Sequence, residues 1–151
     1  MLPATADRVP MNTDACANDR IRHRTEARVA RYAAMGPHAI ERRLVELDYE
    51  WDVERCLETM APSVTLTGLF LGMTVSRKWL LLPVAVQGMF LLHALQGWCP
   101  PLPLLRRMGV RTSDEINEER MALKALRGDF GQSADLDGEF DADEALAAAR
   151  K

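Results

Sequence analysis

The chain has 151 residues, 48% of them hydrophobic and 27% charged, with a net charge of −3. That length suits one modest soluble domain, and a mean hydropathy of −0.16 excludes a chain apolar throughout. From Asp129 onward seven acids stand against Arg150 and Lys151, which argues against nucleic acid as a partner, because phosphate binding needs a basic face.

The averages conceal a sharp partition. Between residues 60 and 105 the only formal charges are Arg77 and Lys78, which are adjacent. Two uncharged stretches therefore meet at a short cationic turn, the pattern of a helical hairpin in a membrane. Three cysteines, Cys16, Cys56 and Cys99, have no spacing that builds a disulfide framework or a C-x-x-C pair. The opening residues lack an apolar h-region, so no export signal is expected, and thiols of this kind fit a reducing cytoplasm.

In chain order, residues 1–13 carry two prolines and no periodicity and read as a disordered start. An Ala- and Arg-rich helix follows to residue 34, broken at Gly36-Pro37. Its arginines (Arg20, Arg22, Arg24, Arg28 and Arg31) could touch anionic lipid or acidic protein, or could form a solvated face. Residues 38–58 read as one amphipathic helix with Ile40, Leu44, Leu47 and Trp51 on its stripe. Its acids stand four apart in several places (Asp48 with Asp52, Glu50 with Glu54, Glu54 with Glu58), each pair weakening a helix by roughly 0.2–0.5 kcal/mol. Arginines of neighbouring helices are the expected compensation.

Residues 59–76 form the first expected span, within the range of about 17–25 residues that crosses a bilayer. Pro62 near its start is tolerable, because the first turn of a helix has no internal donors to lose. Gly68, Gly72 and Ser76 recur every fourth residue, a small-residue stripe on which a second helix can pack closely. Residues 77–78 are the turn. The second span runs over 79–98, roughly 28 Å at about 1.5 Å per residue, close to the hydrocarbon thickness. Trp79 and Trp98 mark its two ends as interface anchors, and Cys99-Pro100-Pro101 stops the helix. A soluble helix would show a polar face, whereas this one offers only Gln87, His93 and Gln96, spread round the wheel. Basic residues favour the termini side, with Arg43, Arg55, Arg106, Arg107 and Arg111 against Arg77 and Lys78.

After a Pro-rich interfacial segment, 99–111, a last amphipathic helix covers 112–128. Thr112 and Glu115 make a capping box, and Gly128 is the stop. Residues 129–151 are an acidic tail.

The candidates for chemistry are few. Cys99 sits at the expected interface between Trp98 and two prolines. In a hairpin Cys56 returns to the same membrane face, and His93 lies about a turn and a half before Cys99. A thiol so placed could relay sulfur or oxidants, but it stands at a helix C-terminus, where the dipole disfavours a thiolate. A buried small hydrophobe is the plainer role. His93 in an apolar span is a functional candidate by position, or a neutral group hydrogen-bonded to Thr65 or Thr67. No metal or cofactor site is expected. Glu-x-x-His pairs for a di-iron bundle are missing, and Phe140 and Leu146 stand where a calcium loop needs Gly and Glu. Neither a Gly-rich phosphate loop nor a Ser-His-Asp arrangement occurs.

Two short spans closed by Gly97-Trp98-Cys99-Pro100 resemble the YgaP-like inner-membrane domain family of bacteria. Residues 40–130 are similar to its stand-alone proteobacterial type through ELDYEWDVERCLE, the RKW turn, HALQGWCPPLPLLRRMGVRT and ALKALRGDF. The resemblance implies an inner-membrane location, an all-helical hairpin and self-association, and it carries no demonstrated activity. Some members fuse the domain to a sulfurtransferase, but this chain has no such catalytic loop.

The expectation is an all-α protein: a two-span transmembrane hairpin with flanking amphipathic cytoplasmic helices, disordered ends and both termini cytoplasmic. Its expected partners are the bilayer, a second copy packed through Gly68 and Gly72, and an unidentified protein. Its expected role is a non-enzymatic anchor or adaptor, with a thiol relay through Cys99 as the alternative.

Overall fold

Asp52 ends the reading of residues 38–58 as one helix. Its carboxylate accepts the Arg55 N–H at 2.7 Å, which makes it the N-cap of a new helix. In the computed structural model, which describes residues 3–129 and 146–147, the chain is all-helical, with no strand among the described residues. The helices are α1 (Arg8–Met11), α2 (Ala15–Met35), α3 (Pro37–Tyr49), α4 (Val53–Thr74), α5 (Leu81–Gln96), α6 (Leu102–Met108) and α7 (Ser113–Arg127), with a 3-10 turn at Arg77–Leu80 between α4 and α5. Most of the acidic tail lies outside the described residues.

The described helices fall into two compact units. The first comprises the residues up to Asn18 together with Trp51–Val110. Here α4 and α5 are the arms of a helical hairpin. Thr65 accepts a hydrogen bond from Gln87 at 2.8 Å across it. A Cβ on Gly68 would lie 2.6 Å from Pro83 Cδ, and one on Gly72 would overlap Leu80 Cδ2. The small-residue stripe is thus filled by the same chain, and the arms approach closely because those positions have no side chain. Ser76 lies outside the stripe; its hydroxyl caps the 3-10 turn at the Lys78 N–H.

Several boundaries differ from the sequence reading, the arms ending at Thr74 and Gln96 and not at 76 and 98. The second arm starts at Leu81, because Arg77–Leu80 wind as a 3-10 turn. Pro83 then falls in the first turn of α5, where no donor is lost. Pro62 falls inside α4 and not in its first turn, because the helix already begins at Val53. It therefore leaves the Glu58 carbonyl without its helical donor. The expected disordered start contains α1, whose Val9 is buried with Val53, Leu57, Cys99, Leu102 and Leu105.

The second unit comprises Asp19–Glu50 and the residues from Arg111 on. Gly36 at φ 85° and Pro37 at the first turn of α3 separate α2 from α3. Thr112 and Glu115 form the capping box of α7, and Gly128 ends it. Val29 of α2, Ile40, Leu44 and Leu47 of α3, and Ile116 and Leu123 of α7 build the core, with Leu146 buried among them. Trp51, assigned to this stripe from its spacing, is outside α3 and exposed; Arg55 lies 4.6 Å over its ring. Because α3 ends at Tyr49, Asp48 and Asp52, like Glu50 and Glu54, are not neighbours on one helix, and the expected repulsion between them does not arise.

Candidate functional site

The residues singled out for chemistry gather at the open end of the hairpin. Cys99 is 4% exposed and packs with Val9, Val53, Leu57 and Leu102, and Cys56 is half-buried against the same cluster. Burial pushes the Cys99 thiol up, with the Leu102 N–H offsetting part of the effect. The Cys56 thiol is also pushed up, by burial and then by the Asp52 charge. Both are therefore held as thiols, and the thiolate is the reactive form. The environment is that of packed small hydrophobes.

His93 is 3% exposed and stacks on Phe90, with ring centroids 6.5 Å apart. Neither ring nitrogen has a hydrogen-bond partner. Thr65 and Thr67, its expected partners, are engaged elsewhere: Thr65 with Gln87, and Thr67 with the Ser63 carbonyl at 2.8 Å. The antiparallel register sets Thr65 level with Gln87, and six helical residues separate Gln87 from His93, roughly 9 Å.

What the sequence reading missed is the closure over the end of α5. The last carbonyls of a helix have no internal donors. Arg8 Nη1 donates to the Ala94 carbonyl at 3.0 Å and Asn12 Nδ2 to the Gln96 carbonyl at 2.7 Å. The Arg8 charge also suits the negative end of the helix dipole, and Glu54 pairs with it at 3.7 Å. Gly97, at φ 80°, allows the approach, since a Cβ there would overlap the Arg8 carbonyl oxygen. Residues 8–12 thus form a strap over the end of α5, and Asn18 ties it down, donating to the Pro10 carbonyl at 2.9 Å and accepting from Arg106 Nη2 at 2.9 Å.

The second unit holds a buried charge cluster. Glu119 is fully buried and takes Arg43 Nε at 2.8 Å, Arg28 Nε at 3.2 Å and Arg111 Nη1. Arg111, 1% exposed, also reaches Glu50 at 2.8 Å, as Arg43 does at 3.1 Å. Burial by itself would raise the Glu119 carboxyl; the Arg43 hydrogen bond and the charges of Arg111, Arg28 and Arg43 outweigh it and hold the group below its ordinary range. The Glu119 carboxylate is thus engaged from three sides, by Arg28 of α2, Arg43 of α3 and Arg111 just ahead of α7.

Trp79 and Trp98, expected from the sequence as interface anchors, are both exposed. No group of three His, Cys, Asp or Glu among the described residues could hold a metal ion. No protein-family model, curated protein or solved structure matches the chain.

Proposed function

We propose that the chain is a two-span helical hairpin of the inner membrane, with both termini cytoplasmic, acting as a non-enzymatic anchor or adaptor for a protein partner. The observation that carries this reading is exposure. Arg77–Gln96 is long and apolar enough to cross a membrane, yet only 11% of its apolar window is buried. The core helix of a water-soluble protein hides such side chains. Here Leu81, Val84, Leu91 and Leu95 face outward. Taking each out of water is worth about 1.5–3 kcal/mol, which a bilayer supplies.

Support for α4 as the other span is different in kind. Among the described residues only Arg77–Gln96 meets the length and composition of a span, because α4 is diluted by hydroxyl residues and begins with charges. Those hydroxyls are satisfied within the helix: Thr59, Ser63, Thr67 and Thr74 each donate to the carbonyl four residues back. That is the arrangement hydrocarbon requires. Leu66, Leu69, Phe70 and Met73 are exposed on the same helix. The resemblance of residues 40–130 to the YgaP-like inner-membrane family supports the same placement.

An alkaline carbonate wash of membranes from expressing cells tests the reading. Retention in the pellet until detergent is added is the expected result, and release into the wash would overturn it. Orientation is read from Cys16, which is exposed: a membrane-impermeant maleimide should label it in inverted vesicles and not in intact spheroplasts.

A further inference from the structure

Between the hairpin arms, at the end away from Arg77 and Lys78, lies a cavity of about 150 Å³. Met60 and Ala61 of α4, Met89 and Phe90 of α5, and Cys99 and Pro100 beyond α5 contribute to its wall. No side chain lining it carries nitrogen or oxygen. Water needs two to four polar partners to occupy such a space, and an apolar cavity of this size stays dry and takes apolar ligands. The cavity is not sealed, since Met60, Val64 and Met89 line it and are also exposed. Its mouth is therefore lined by Met60, Val64 and Met89, on arms whose Leu66, Leu91 and Leu95 are also exposed.

We propose that this cavity is a binding site for the acyl chain of a membrane phospholipid, a proposal that rests on the membrane reading of the hairpin. A pocket that opens sideways into hydrocarbon meets acyl chains before anything else. A chain lying in a concavity gains contacts on several sides, where a flat helix face offers one. The unbranched thioethers of Met60 and Met89 at the mouth can follow a flexible ligand. Trp98, exposed beside Cys99, sets the adjoining headgroup level. The occupant is then a lipid of the leaflet on the termini side.

The test uses the full chain in phosphatidylcholine vesicles doped with a phosphatidylcholine that carries a diazirine on its acyl chain. After irradiation, adducts are mapped by mass spectrometry. Adducts at Met60, Met89 and Phe90 should exceed those at Leu91 and Leu95 severalfold. Filling the cavity by Ala61→Phe should reduce the former to the level of the latter. Val64→Trp, at the exposed rim, should act the same way if Ala61→Phe fails to fold. Equal adduct density at both places, unchanged by either substitution, would overturn the pocket and leave the membrane reading standing. Absence of adducts at Leu91 and Leu95 as well as in the cavity would overturn both.

Discussion

Arg43 Nε donates to Glu119 Oε1 at 2.8 Å across 76 positions of sequence, with the carboxylate fully buried. This bond joins α3 to α7, and Arg28 and Arg111 converge on the same carboxylate. Breaking a buried pair strands the remaining charges, at a cost of about 3–5 kcal/mol. Glu119→Ala should therefore lower the melting temperature of the full chain in detergent by roughly 6–20 °C. A melt within the error of the parent would show that the cluster does not order this unit.

The same carboxylate makes stability depend on acid. Its value in the folded chain lies below its ordinary one. The stabilisation is therefore complete above the unfolded carboxyl range, about pH 4, and is lost as pH falls through the lower folded value. Melting followed from neutral pH downward should show a steep loss in this acid region. Glu119→Gln should flatten it, and equal slopes in the two proteins would refute the assignment.

Gly97→Ala tests the strap. The added Cβ would collide with the Arg8 carbonyl oxygen in a backbone conformation that alanine adopts poorly, a loss of more than about 1 kcal/mol. The strap should lift and uncover Cys99. In a Cys16→Ser, Cys56→Ser background, labelling of Cys99 by a polar maleimide should rise severalfold. An unchanged rate would mean that α1 does not shield the thiol.

Gly68→Leu tests the hairpin contact. The pair Thr65→Cys and Gln87→Cys should be closed by a short bifunctional thiol crosslinker, which replaces the reach of the glutamine that meets Thr65 at 2.8 Å. A leucine side chain at position 68 would collide with Pro83 and should suppress that closure. Efficient closure in the Gly68→Leu variant would show that the arms do not depend on the small residue.

Parts of this architecture are legible in the sequence because the signals are local. Thr112 with Glu115, and Gly36 before Pro37, state helix ends in two residues each. The absence of charge from 79 to 98 states an apolar helix. Asp52 is an N-cap residue type as well, but the four-residue spacing of Leu47 and Trp51 imitates one continuous stripe across it. Glu119 was visible too: it stands three residues after Ile116 and four before Leu123, on the face that packs inward, so a carboxylate there required cations. Arg43 sits likewise between Ile40 and Leu44. The strap was not legible. Four residues containing Pro10 have no periodicity, and what holds them in place is the far end of α5. Likewise, no sequence pattern says that Gly68 and Gly72 face their own chain and not a second copy.

The closure of α5 has a consequence for biosynthesis. Arg8 precedes the carbonyl it caps by 86 positions and Asn12 precedes its own by 84. At about 5–20 residues per second, both donors leave the ribosome several seconds before their acceptors exist. Both arms of the hairpin are therefore complete while those carbonyls are still open. Seating of Arg8 and Asn12 thus waits for α5 to be made, and a bulky fusion placed just ahead of Arg8 would delay it without altering any residue of either arm.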